Sequence, residues 1–192
     1  HASHVVKGAP NTFVIGDMPF GTYNVSIEEA VRNANKLFME SGCDCIKLEG
    51  GSDMAPVIKA IVKAGIPVCA HIGLTPQSAA MMGGFKVQGK SLEAAQELLD
   101  SARAVEEAGA FMIVLEGIPA MLATEITKRI SIPTMGIGAG AGCDMQVLVA
   151  QDMLGMNDWV PKFVKKYADL RTTILGAYND YVKEANERTF PA

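Results

Sequence analysis

The chain is poor in aromatic residues (6%), with one tryptophan and three histidines in 192 residues. Its 17 Lys and Arg do not outnumber its 21 Asp and Glu, so there is no basic stripe and nucleic acid is not an expected partner. No apolar run approaches the roughly 20 residues of a bilayer-crossing helix, so no membrane association is expected either. The four cysteines, Cys43, Cys45, Cys69 and Cys143, form no CxxC pair and have no histidines at zinc-site spacing. They are expected to be buried thiols in a reducing, cytoplasmic setting.

What the chain does have is 49% apolar residues, enough for one domain with a substantial core. Those residues recur in a cycle. Ser26 and Glu29 form a capping box, and Ile27, Ala30, Val31, Ala34, Leu37 and Phe38 follow at helical spacing up to Gly42. Cys45 to Leu48 then read as a short buried strand. The cycle repeats as a helix over 53–64 with a strand over 66–70, and a helix over 92–108 with a strand over 111–115. It closes with a helix from Pro119 to about Ile130 and a strand over 134–137. The segment 13–16 reads as the first strand, 147–150 as a last strand, and the C-terminal third as mostly helical. Gly65-Ile66-Pro67-Val68 is echoed 66 residues later by Ser131-Ile132-Pro133-Thr134, as two units of about 33 residues would require.

Alternating helices and continuously apolar strands imply an α/β fold with a parallel sheet covered by helices. An open doubly wound sheet and a closed (β/α)8 TIM barrel both fit that pattern. The polar residues favour the barrel, because Asp17, Lys47, Glu49, His71 and Glu116 all fall at the C-terminal ends of successive strands, which in a barrel converge on one mouth. About six of eight strands are countable. The expected organisation is therefore a single barrel domain over 1–192, N-terminally incomplete, with two strand–helix units of roughly 60–70 residues ahead of His1.

Twice an apolar strand runs into Glu-Gly: Ile-Lys-Leu-Glu-Gly-Gly at 46–51 and Ile-Val-Leu-Glu-Gly-Ile at 113–118. Alternate strand residues share a face, so Lys47 and Glu49 point together while Leu48 points to the helices. They form either a buried ion pair or a charge-lined pocket. Asp17 is either a turn residue or, with Glu49, one of two hard oxygen ligands for Mg²⁺. Glu116, with Val114 on its face and no lysine beside it, is either a helix N-terminal acid or a proton acceptor. His71 is a neutral hydrogen-bonder or a pocket acid/base. The long stretch from Ile72 to Lys90 has the length of a lid or binding loop. Gly136-Ile137-Gly138-Ala139-Gly140 reads as tight packing at the rim rather than a nucleotide loop.

Six strings occur in the order found in one family: Asp17-Met18-Pro19-Phe20, Lys47-Leu48-Glu49-Gly50-Gly51, His71-Ile72-Gly73-Leu74-Thr75-Pro76-Gln77-Ser78, Gly84-Phe85-Lys86-Val87-Gln88-Gly89, Leu115-Glu116 and Gly136-Ile137-Gly138-Ala139-Gly140. From about Gly8 onward the chain closely resembles the ketopantoate hydroxymethyltransferases. The resemblance implies a (β/α)8 barrel assembled as a homodecamer. It implies transfer of a one-carbon unit from 5,10-methylenetetrahydrofolate to the ketoacid 3-methyl-2-oxobutanoate, giving ketopantoate in pantothenate biosynthesis.

By the same resemblance Asp17 and Glu49 match Mg²⁺ ligands, Asp17 and Lys47 match ketoacid-binding positions, and Glu116 matches the catalytic proton acceptor; His71 joins the substrate-binding set. The family's third metal-binding aspartate and an adjoining serine belong to a second barrel strand that this chain does not contain. Asp144 is followed by Met145 where the family usually has glycine. Two rivals are a phosphoenolpyruvate mutase or isocitrate lyase-like Mg²⁺ enzyme, whose cysteine-bearing lid motif is missing here, and an inactive barrel fragment.

Overall fold

The computed structural model describes residues 1–191 and clusters into two compact units, His1–Gln146 and Val147–Ala192. The first carries helix α1 (Ala2–Gly8), strand β1 (Ile15–Asp17), α2 (Ile27–Ser41), β2 (Cys45–Glu49), α3 (Ala55–Lys63), β3 (Val68–Gly73), α4 (Leu92–Glu107), β4 (Met112–Glu116), α5 (Ala120–Arg129), β5 (Thr134–Ile137) and β6 (Met145–Gln146). All neighbouring strands pair in parallel, in the order β1-β2-β3-β4-β5-β6. Every crossover therefore adds its strand on the same side of the previous one. A doubly wound sheet reverses direction at a switch point, and this sheet never does. Six strands of a (β/α) barrel result.

Local chemistry accounts for the elements. Ser26 caps α2 by accepting the Glu29 N–H at 3.2 Å, a bond of about 1 kcal/mol, and the helix stops at Gly42. Along the strands the side chains divide by parity. Ile46 and Leu48, Val68, Ala70 and Ile72, and Ile113 and Leu115 all join the large core shared with α2, α3, α4 and α5. Cys45, Cys69, Val114 and Ile137 form a separate small cluster on the other face, flanked by Ile15, Met112 and Met135. Asp17, Lys47, Glu49, His71 and Glu116 are in phase with that second set, so they stand on the sheet's inner face, one step further toward the strands' C-terminal ends.

Three of the thiols, Cys43, Cys45 and Cys69, are buried as expected, whereas Cys143 is only half-buried. All four cysteines are free, and burial pushes Cys45 and Cys69 up to about 12, which keeps them protonated and unreactive.

Two expectations are corrected. The last strand is Met145–Gln146, not 147–150; residues Ala150–Met153 form instead the short helix α6. The reason is a polar clamp that apolar patterning does not reveal. Asp144 Oδ2 accepts both the Thr134 N–H (2.8 Å) and the Thr134 hydroxyl (2.9 Å), and the Asp144 N–H returns to Thr134 Oγ1 (3.1 Å). This fixes the chain next to β5 just before Met145. The C-terminal third is also only partly helical: α7 (Leu170–Glu187), capped by Asp169 on the Thr172 N–H, follows a mostly irregular stretch after α6. No residue of α7 is buried, and no helix among the described residues is long and apolar enough to cross a membrane.

The Thr134 bonds hold the Asp144 carboxyl below its ordinary range, backbone N–H first and hydroxyl second. A carboxylate with a lowered folded-state pKa stabilises the fold above its unfolded value near pH 3.9, and that contribution disappears as pH falls through the lowered value. Asp144→Asn is therefore expected to melt lower than the parent at pH 6, with the gap closing as pH falls below the ordinary carboxyl range, read by thermal melts across pH.

Candidate active site

Parallel register sets the geometry of the inner face. Asp17 is level with Lys47, Glu49 with His71, and Glu116 with Gly73. Lys47 Nζ lies 2.8 Å from Asp17 Oδ1, 4.0 Å from Glu49 Oε1 and 3.4 Å from His71 Nδ1. His71 Nδ1 lies 3.7 Å from Glu49 Oε1, and His71 Nε2 lies 3.1 Å from Glu116 Oε2. All five candidate residues of the sequence are thus brought into one chain of contacts running across β1, β2, β3 and β4.

Exposure grades along that chain. The Asp17 side chain is 52% exposed, Lys47 17%, Glu116 16%, and Glu49 and His71 only 4% each. The Asp17–Lys47 pair, with one half-exposed partner, is worth at most about 1 kcal/mol, so stability does not explain it. Glu49 is the costly member. Burial raises its pKa; His71 in its protonated form, the Gln77 N–H and Lys47 pull in the opposite direction, while Asp17 adds to the rise. A carboxyl group held there is short of positive charge.

His71 is the second anomaly. With Lys47 donating to Nδ1, the imidazole proton belongs on Nε2. Yet Nε2 is out of line for a hydrogen bond with Glu116 despite their proximity, and it is the one buried side-chain nitrogen or oxygen among the described residues without a partner. An orphaned buried donor costs about 1–3 kcal/mol, a cost that an incoming oxygen acceptor would remove.

The loop after β3 begins and ends at this site. Leu74 N–H donates to the Glu116 carbonyl (2.8 Å), the Gln77 N–H in a single 3-10 turn (Pro76–Ser78) donates to Glu49 Oε2 (3.0 Å), and the Gln88 N–H donates to the Gly117 carbonyl (2.9 Å). Gln77 was not among the candidates read from the sequence, and neither was Tyr23. Gln77 sits in one of the strings that carry the family resemblance and Tyr23 in none, but glutamine and tyrosine announce no chemistry by type, and only the folded contacts single them out. In the Gly136–Gly140 string, a Cβ on Gly136 would press on Cys143 Sγ at 2.9 Å, in keeping with close packing there.

Could these residues hold a cation? Among the described residues no three His, Cys, Asp or Glu side chains gather to hold a metal ion by themselves. The donors at hand are the two carboxylates Asp17 and Glu49, both near the Lys47 ammonium. Mg²⁺ characteristically takes one or two carboxylates and completes its octahedron with water and substrate oxygens. The donor set fits that habit, and Glu49 Oε1, whose nearest ion-pair partner is His71 Nδ1 at 3.7 Å, is the oxygen free to serve.

A family model described as ketopantoate hydroxymethyltransferase matches residues 1–192. The 3-methyl-2-oxobutanoate hydroxymethyltransferase of Heliobacterium modesticaldum is 59% identical over 192 residues, covering all of this chain and 70% of that protein. The proteins of that name from Clostridium novyi and Enterococcus faecalis are 58% and 56% identical, again over all of this chain and 70% of theirs. Among solved structures, a putative phosphonomutase from Burkholderia cenocepacia superposes with a TM-score of 0.53 at 18% identity, over 70% of this chain and 56% of that one. That likeness concerns the fold alone.

Proposed function

Because the chain belongs to the ketopantoate hydroxymethyltransferase family, a family of transferases, we propose that it adds a hydroxymethyl group from 5,10-methylenetetrahydrofolate to 3-methyl-2-oxobutanoate, forming ketopantoate for pantothenate synthesis. The observation that carries this reading is the unbroken run of contacts from Asp17 through Lys47, Glu49 and His71 to Glu116. It combines a cation-binding end, a fixed positive charge and a carboxylate in the order that an α-deprotonation needs.

Asp17 and Glu49 would hold Mg²⁺, which when bound acts as a Lewis acid toward the keto and carboxylate oxygens of the substrate. Lys47 binds the ketoacid and offsets negative charge that grows on its oxygens as C3 loses its proton. His71, with Nδ1 occupied by Lys47, offers its Nε2–H to a substrate oxygen and fixes the ring beside the base. Glu116 takes the C3 proton; the freed electron pair delocalises toward the keto oxygen and then forms the new carbon–carbon bond to the methylene carbon, whose two carbon–nitrogen bonds to the folate break as water supplies the hydroxyl oxygen and tetrahydrofolate leaves. The oligomer expected from the family, a homodecamer, is part of the same proposal.

Incubating the protein with the ketoacid, methylenetetrahydrofolate and Mg²⁺ is expected to yield ketopantoate by proton NMR, and chelation of the metal to stop it. Folded protein that forms no product under these conditions would overturn the reading in favour of an inactive barrel.

A further inference from the structure

Gln77 makes three contacts that its residue type does not advertise. Its backbone N–H donates to Glu49 Oε2 (3.0 Å), its side-chain amide donates to the Met18 carbonyl (3.0 Å), and its Oε1 accepts from the Tyr23 hydroxyl (2.8 Å). The Tyr23 oxygen in turn accepts the Glu49 N–H at 3.4 Å. Met18 directly follows Asp17, so one side chain ties the backbone beside Asp17 to the loop that grips Glu49. We propose that Gln77, held by Tyr23, is the positioning residue that sets Glu49 relative to Asp17 for cation binding.

The geometry leaves little freedom for any other arrangement. Both ends of the Gln77 amide are used, donor to Met18 and acceptor from Tyr23, so flipping it would break both bonds. Tyr23 is fully buried, and burial pushes its hydroxyl up to about 12, so it remains a neutral donor. Glu49 Oε2 is therefore committed to the Gln77 N–H, while Oε1 faces the Lys47 and His71 side of the site. Partners that orient a ligand in this way typically change metal affinity or activity by about 10–100-fold when removed. The inference rests on the metal role of Asp17 and Glu49 proposed above.

Two variants test it. Gln77→Leu removes the amide, and Tyr23→Phe removes one hydroxyl while leaving the ring in its buried slot. Mn²⁺ affinity, read from the EPR signal of the free ion, is expected to fall about 10-fold in each, with melting temperature lowered by only a few degrees for Tyr23→Phe, whose lost hydroxyl leaves Gln77 Oε1 without its donor. In metal-free protein, hydrogen exchange of the Gln77 N–H in Tyr23→Phe is expected to accelerate about 10-fold, because the loop loses its anchor. Variants that bind Mn²⁺ as the parent does, or a Gln77 N–H that exchanges unchanged, would reduce Gln77 to a packing residue and overturn the proposal. A parent protein that binds no Mn²⁺ would sink the metal role of Asp17 and Glu49 instead, and the exchange measurement would still decide whether Gln77 holds Glu49.

Discussion

Glu116→Gln is expected to lower kcat by about 10²–10⁴, or roughly 3–5 kcal/mol of barrier, with the KM for the ketoacid changed little. The substitution keeps the shape of a side chain that is 16% exposed at the end of β4, so the packing of Val114 on the same face is unaffected. What it removes is the ability to accept a proton. The discriminating measurement is exchange of the C3 proton of 3-methyl-2-oxobutanoate into deuterated water without the one-carbon donor. Loss of exchange in parallel with kcat identifies Glu116 as the base. Exchange at more than a tenth of the parent rate would assign proton removal to another group and leave Glu116 a binding residue.

Gly73→Ala is expected to cost at least about 3 kcal/mol and to lower the melting temperature by roughly 10 °C. Two effects add. Gly73 has φ +95°, a conformation strained for any residue with a side chain, and its Cβ would collide with the Glu116 carbonyl oxygen and press on Ile118 at 2.8 Å. The carbonyl has nowhere to go, because it accepts the Leu74 N–H at 2.8 Å. The same displacement would carry Glu116 and the start of the loop off the site, so activity should fall with stability. Gly84→Ala isolates the backbone part: φ is +100° there but nothing lies within 4 Å of the new methyl, and the expected loss is about 1 kcal/mol. Equal effects at the two positions in urea titrations would show that the close approach to Glu116 is not what matters.

Much of this was legible in the chain because it depends on periods. Strand parity separates Ile46 and Leu48 from Cys45, Lys47 and Glu49 without knowledge of the fold, since alternate side chains must face opposite ways. Apolar strands alternating with capped helices require a parallel sheet, and the repeated Glu-Gly at strand ends required that carboxylates share one rim. Asp17, Lys47, Glu49, His71 and Glu116 were all nameable on that basis.

The folded structure decided everything that depends on contacts remote in sequence between residues without a chemical signature. The strand order, one direction throughout, is what separates a barrel from a doubly wound sheet, and no local pattern encodes it. The clamp of Asp144 on Thr134 moved the last strand back to Met145–Gln146 through a side chain that hydropathy ignores. Gln77 reaches Tyr23 across 54 positions and Glu49 across 28, and hydrogen bonds of that span depend on angles and distances that only packing creates. Periodicity fixed which face each residue occupies; tertiary geometry alone determined which polar groups on that face touch.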